Sequence, residues 1–252
     1  MKITIRYIKL ALLSILPRLL FSQNSVIDVK DFDKIIISPH ISANLVESDQ
    51  PSVELISSEV PLDKINVKVE GKTLRIFLDG AKTITRSKRI DSHNRHLKRP
   101  IYQGTIANVT IYYKTLHTLS VRGEEEIICA SPLSQDELHL RIYGEPDVVI
   151  KNLMLDYFEV TMYGEADLSV EGGEVNYQKY VSYGENNVKI RNIKNNSTQI
   201  RAFGESDFDL NVSDHLKVTA LGEAKITYQG APKVQKGIVL GEARIRKSEM
   251  SL

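Results

Sequence analysis

From Val26 onward, apolar and polar residues alternate at period two over most of the chain, and the alternation restarts at one short recurring phrase. Two and four residues before a recurring glycine stand Leu140 and Ile142, Val160 and Met162, Tyr180 and Ser182, Ile200 and Ala202, and Val218 and Ala220. Four and six residues after it stand Val148 and Ile150, Leu168 and Val170, Val188 and Ile190, Phe208 and Leu210, and Ile226 and Tyr228. Period two places alternate side chains on one face of a strand, whereas an amphipathic helix needs a period near 3.6. Each repeat therefore reads as strand, Gly-Glu turn, strand, second turn.

The phrase itself runs RGEEE, YGEPD, YGEAD, YGENN, FGESD, LGEAK, LGEAR. Its glycines are Gly123, Gly144, Gly164, Gly184, Gly204, Gly222 and Gly241, read as structural turn residues; subtraction gives spacings of 21, 20, 20, 20, 18 and 19 residues. One unit of this size cannot bury its apolar face alone, but stacked copies with equivalent strands paired build a continuous core. The predicted fold is all-β, a parallel β-solenoid (β-helix-like) with coils of about 20 residues. Leucine-rich repeats share the period, but their L-x-x-L-x-L-x-x-N pattern is missing.

Residues 121–247 form this regular part, and residues 26–120 read as a less regular, strand-rich first half. Strands are expected at Lys34 to Ser38, Ile41 to Val46, Val53 to Ser57, Ile65 to Glu70 and Thr73 to Leu78, as earlier coils of the same body. Turn signals at Pro39-His40, Asp49-Gln50-Pro51 and Gly71-Lys72 separate them. Residues 79–105 break the pattern with Lys82, Arg86, Lys88, Arg89, Arg95, Lys98 and Arg99 against only Asp79 and Asp91. Such a stretch reads as a surface insertion, partly disordered, that either docks an acidic glycan, phosphate or membrane surface or is a solvated loop.

In this order of features the chain resembles the bacterial putative auto-transporter adhesin family, whose domain is called head GIN. The resemblance rests on the strand-rich first half, the VTIYY segment from Val109 to Tyr113, the short link TLHTLSV, and the Gly-centred, Asp-containing repeats, and it spans roughly Phe32 to Lys247. Many family members carry a small residue where this chain has Glu, and a second Gly where it has Pro146, Ala166, Asn186, Ser206, Ala224 and Ala243. The resemblance implies a secreted or surface-associated β-solenoid, and it says nothing of the glutamates.

Those glutamates change the picture most. Stacked in register, Glu124, Glu145, Glu165, Glu185, Glu205, Glu223 and Glu242 form a ladder with rungs about 4.8 Å apart. Neighbouring carboxylates would repel by about 1 kcal/mol in water and about 3.5 kcal/mol at an effective dielectric of about 20, so the ladder must be wet or neutralised. A calcium ion is one neutraliser, with Asp147, Asp167, Asn187 and Asp207 three residues after the glycines. The alternative has Asp and Asn capping turn amides while Glu reaches solvent or meets Arg141, Arg201 and Lys225; it is favoured because known calcium repeats are denser in Gly and Asp, so no metal or cofactor is assigned.

Beside the glutamates runs the column Tyr143, Tyr163, Tyr183, Phe203, which reads equally as a binding stripe for a sugar ring or partner surface and as a structural ladder of stacked rings. The binding residues assigned are Tyr143, Tyr163, Tyr183, Phe203, Glu145, Glu165, Glu185 and Glu205. No catalytic residue is assigned: the polar groups repeat along the axis instead of forming one cluster, and no nucleophile, zinc or phosphate-loop pattern occurs. His93 and His96 read as solvated loop residues.

Composition sets the remaining bounds. Hydrophobic residues are 42% and charged residues 26% of 252, an ordinary globular balance, and a net charge of +1 argues against a nucleic-acid partner. Cys129 is the only cysteine, expected as a buried inert thiol. Residues 1–22 read as a secretory signal peptide: Lys2, Arg6 and Lys9, an apolar Leu10 to Leu16, then Ser22 before Gln23; the alternative is a cytoplasmic protein with an amphipathic start. No later apolar run reaches membrane-spanning length, so the mature chain is expected to be soluble.

The expectation is a non-enzymatic, exported binding or structural module, periplasmic, cell-surface or secreted, that offers a repetitive face to a glycan or protein. A polysaccharide lyase on a β-helix scaffold is the alternative.

Overall fold

The computed structural model of the protein describes residues 25–92 and 95–248, so the expected signal peptide lies outside the described residues. The fold is a parallel β-solenoid with coils of about 20 residues. Seventeen strands form one sheet, and the one helical element among the described residues is the 3-10 turn Leu62–Lys64. The register is the one the repeat demands. Gly123, Gly144, Gly164, Gly184, Gly204, Gly222 and Gly241 pair in an unbroken column, and the residues on either side follow them.

Burial shows why about 20 residues close one coil. In the coil from Leu153, the buried residues are Leu153 and Leu155, then Phe158, Val160 and Met162, then Ala166, Leu168 and Val170. The period-two count slips between Leu155 and Phe158 and again after Val170, while between Met162 and Ala166 it keeps its parity and the chain turns at Gly164, whose φ is 125°. A coil thus has three straight runs, one more than the two strands read from the sequence. The extra run is hidden in the second turn, where Leu153–Gly164 is one bent strand paired to Leu133–Gly144 and Gly173–Lys189.

Side chains stack in the core as they do along the backbone, one above the next. Tyr180 is buried with its ring edge-on between Phe158 and Phe208. Polar residues that enter the core carry their partners with them. Asn186 donates to Ser182 Oγ (2.8 Å) and accepts from the Ala166 amide (3.1 Å), while Ser182 and Ser206 hydroxyls meet at 2.8 Å. Cys129 is fully enclosed, and burial pushes its thiol up to about 12, which leaves it unreactive at neutral pH.

The first half departs from chain order. Lys34–Ile37 and Ile41–Glu47 form a rung that pairs on one side with Thr118–Gly123 and Ile127–Cys129. On its other side it pairs with Thr73–Leu78 and Ala107–Tyr113, which come later in the chain. The rung laid down first is therefore internal, and the outer rung is closed by antiparallel strands: Ile65–Glu70 on Thr73–Leu78, Ser52–Ser58 on Ala107–Tyr113, and Ser25–Asp28 on Ser52–Ser58. The expectation of earlier, less regular coils of the same body did not include this stacking order. Antiparallel pairing lets a neighbouring segment cover a sheet edge without the long crossover that a parallel partner needs.

The basic insertion, read from the sequence as a surface insertion that is partly disordered, carries regular structure in part. Ser87–Ser92 and Arg95–Pro100 form an antiparallel hairpin, a two-stranded sheet of its own. A two-stranded hairpin pairs the backbone groups that face its partner strand and leaves the outward ones to water, so polar side chains on both strands are compatible with it. The reading of His93 and His96 as solvated falls outside what the structure describes, except that the His96 backbone lies in the second strand of this hairpin.

Candidate functional site

The glycine corner positions both columns assigned from the sequence. At Gly164 and Gly184 the backbone has φ of 125° and 104°, a region open to glycine, and a Cβ on either would strike the carbonyl oxygen of the glycine one coil earlier. The corner is thus tight enough to hold the residue before it and the residue after it in register along the axis.

Before the corner, Tyr143, Tyr163, Tyr183 and Phe203 stack face to face. Ring centroids lie 5.4, 4.7 and 4.7 Å apart, with planes within 9° of parallel. Tyr163 and Tyr183 are exposed. Their faces, however, are spent on one another, so the stripe presents ring edges and phenol hydroxyls to solvent and no open platform for a sugar ring. The structural-ladder description fits these rings, and a partner would meet a row of hydroxyls.

After the corner, Glu124, Glu145, Glu165, Glu185, Glu205, Glu223 and Glu242 are all exposed. Exposure meets the first of the two conditions the repulsion imposes, since water screens the ladder. Only Glu242 has a charged partner among these seven in the described residues: Arg244 Nε donates to it at 2.6 Å and holds its carboxyl below the usual range. Of the two alternatives, solvent or Arg141, Arg201 and Lys225, the other six glutamates face solvent, and axial pairing is found two residues further on. There Asn187 donates to Asp167 Oδ1 (2.7 Å), and Lys225 lies 3.5 Å from Asp207. Among the described residues, no group of three or more His, Cys, Asp or Glu gathers as a metal would require.

A second stack lies on another side of the coil. Tyr157 and Tyr177 face each other at 5.6 Å, and beside them Glu159 accepts from Lys179 (2.5 Å) and His139 Nδ1 (3.0 Å). Burial pushes the Glu159 carboxyl up, but the hydrogen bonds and charges of Lys179 and His139 outweigh it and hold the group below its ordinary value.

One feature was not read from the sequence: a pocket of about 420 Å³ where the base of the basic hairpin meets the first glycine corner. His40 lies in its wall with φ of 71°, the one non-glycine residue in the left-handed region among those described. Its Nδ1 lies 2.7 Å from Gly104 O, which can only accept, so this nitrogen carries the hydrogen; its Nε2 lies 2.6 Å from Thr85 Oγ1. His40 thereby clasps both ends of the insertion. Glu125 is buried beside it, 3.7 Å from Nδ1, and accepts from the Glu124 amide (2.9 Å). Arg122 stacks on Tyr143 at 4.7 Å and so caps the aromatic ladder, with its Nε buried and without a hydrogen-bond partner. A signal for this pocket was present: Glu125 stands in the corner column otherwise filled by Pro146, Ala166, Asn186, Ser206, Ala224 and Ala243.

Among the described residues, no helix is long and apolar enough to cross a membrane. Solved structures share the fold. A putative adhesin from Bacteroides fragilis NCTC 9343 superposes with a TM-score of 0.72 at 19% identity, covering 89% of this chain and 96% of its own. A putative adhesin from Parabacteroides merdae ATCC 43184 gives 0.65 at 19% identity, covering 90% and 95%. A putative lipid binding protein from Parabacteroides distasonis ATCC 8503 gives 0.61 at 17%, covering 90% and 96%. No curated protein matches the sequence. The model of the family described as putative auto-transporter adhesin, head GIN domain, matches residues 31–232, and with the Gly-Glu coils in the register described, this chain belongs to that family.

Proposed function

We propose that this protein is a non-enzymatic, exported binding module that meets a glycan or protein partner with its glycine-corner face. The observation that carries the reading is the exposed, in-register glutamate column beside the stacked Tyr143–Phe203 column. A surface that repeats at each coil suits an extended partner, because each rung adds a similar increment of contact. The donors and acceptors along it are carboxylates and phenol hydroxyls, which match the hydroxyls of a sugar chain or the amides of a protein.

The test is a panel of immobilised glycans and outer-surface proteins, with vesicles included because one structural relative is named for lipid binding. Binding should fall stepwise as Glu165→Gln, Glu185→Gln and Tyr183→Phe are combined. Unsaturated sugar products released from acidic polysaccharides, and lost on one point change but not on its equivalents in other coils, would favour the lyase reading instead.

A further inference from the structure

We propose that the pocket between His40 and the first glycine corner binds one neutral pyranose residue, the end unit of a glycan; this rests on the glycan reading of the corner face and names what its first coil holds. Two charged side chains that line the pocket, Glu125 and Arg122, each keep one hydrogen-bonding atom without a partner among the described residues. Glu125 is buried, with 5% of its side chain exposed. Its Oε2 accepts from the Glu124 amide and sits against Gly123, where a Cβ would strike it. Its Oε1 has no hydrogen bond: His40 Nδ1 is 3.7 Å away and gives its hydrogen to Gly104 O. Arg122 lays its guanidinium on the Tyr143 ring and leaves a buried Nε–H without an acceptor. An open acceptor and an open donor in one cavity are costly to the protein and are completed by a ligand that brings both partners.

The walls select the chemistry of that ligand. Each hydroxyl of a sugar ring both donates and accepts, so one hydroxyl serves Glu125 Oε1 while another serves Arg122 Nε. A ligand carboxylate would meet two acids, Glu124 and Glu125, against one guanidinium, and an ammonium would satisfy Glu125 and leave Arg122 open. Pro39 and Ile84 offer apolar wall to the C–H face of a ring, and Ile84 is 78% exposed with no core to join. A volume of about 420 Å³ is near the lower end of the about 300–1,000 Å³ usual for ligand sites, which suits a sugar residue and not a protein segment. Glu124 and Tyr143, also in the wall, begin the two columns of the corner face, so the remainder of a glycan held here continues along the coils.

The experiment follows binding to the protein, by saturation-transfer NMR and calorimetry, of the methyl glycosides of glucose, galactose, mannose and fucose, with methyl glucuronoside and glucosamine as anionic and cationic counterparts. A neutral glycoside is expected to bind with a Kd of about 1 mM, and an oligosaccharide ending in that sugar more tightly. Glu125→Ala installs the residue that this corner column has at Ala166, Ala224 and Ala243, and Arg122→Leu the one that its column has at Leu221 and Leu240, so the coil accommodates both. Each should weaken the glycoside at least tenfold with the far-ultraviolet spectrum unchanged. Glu165→Gln with Glu185→Gln should leave the glycoside within about twofold and weaken the oligosaccharide. Oligosaccharide binding that needs Glu165 and Glu185, with no glycoside binding, sinks the pocket alone; glycoside binding with an oligosaccharide indifferent to those two changes sinks the extended face alone. The proposal is overturned if no neutral glycoside binds, if Glu125→Ala and Arg122→Leu bind as the parent does, or if the glucuronoside or glucosamine binds more tightly than the neutral sugars.

Discussion

Gly184 lies so close over Gly164 that a Cβ on Gly184 would press into the Gly164 carbonyl oxygen, and the same holds for Gly164 over Gly144. The column therefore excludes side chains twice over, by its positive φ and by its contact with the coil below. Gly184→Ala is expected to cost more than about 2 kcal/mol, above the usual penalty for a left-handed residue. Glu174→Ala, an exposed change, should lie within about 0.5 kcal/mol. Urea denaturation of the two variants checks this, and equal midpoints would contradict the corner geometry.

The stacked rings should be worth more together than apart. Tyr163 and Tyr183 lie 4.7 Å apart with planes 2° from parallel. A double-mutant cycle with Tyr163→Leu and Tyr183→Leu should return a coupling of about 0.5–1.5 kcal/mol. Strict additivity would mean that the ladder is decorative.

Acid should weaken the second stack before it touches the first. Lys179 and His139 hold Glu159 below its ordinary value, so the stability this carboxylate contributes is present at neutral pH and is lost as pH falls through its lowered value, below about 4.5. Lys179→Gln is expected to cost about 0.5 kcal/mol at pH 7 and progressively less as the pH falls through the lowered value of Glu159, vanishing once the carboxyl is protonated. Denaturation midpoints of parent and variant should therefore converge as the solution is acidified, and a constant gap would rule out the ion pair as the cause.

The far end of the solenoid carries its own safeguard against association. Lys233–Lys247 is an edge strand in which Lys236 is in register with the buried Val218, and Lys247 with Tyr228 below Leu210, while the pairing slips between Val218 and Ala220. Charges at core positions and an irregular register both blunt an edge. Arg244, in contrast, is occupied with Glu242 of its own strand. Lys236→Val with Lys247→Ile should produce concentration-dependent association in size-exclusion chromatography with light scattering. A variant that stays monodisperse up to the highest concentration reached would sink this account.

The regular coils were legible because Gly144, Gly164, Gly184 and Gly204 recur at a nearly constant interval with the same alternation on both sides. The strands of the first half were legible for the same reason, yet their stacking order was not. Alternation tells which face of Ile35 and Ile37 is buried, and it cannot tell that Leu74 and Ile76 lie on one side of them and Leu119 and Val121 on the other. The hairpin was missed because charged cross-strand positions such as Lys88 and Arg99 imitate the composition of a solvated loop. His40 and Glu125 were missed as a pair because 85 positions separate them, by subtraction, although a carboxylate in a column of small residues marked the place.

The internal position of the rung Lys34–Glu47 has a consequence for how the molecule assembles. A chain whose first rung formed one end could zip up in a single direction as it emerged from a ribosome or a membrane pore. Here that rung offers templates on both flanks, so growth proceeds toward Thr73–Tyr113 on one side and toward Thr118–Lys247 on the other. Loss of coils from the carboxyl end should therefore shorten the protein by degrees, whereas loss of the seed should leave both halves without a surface to grow on.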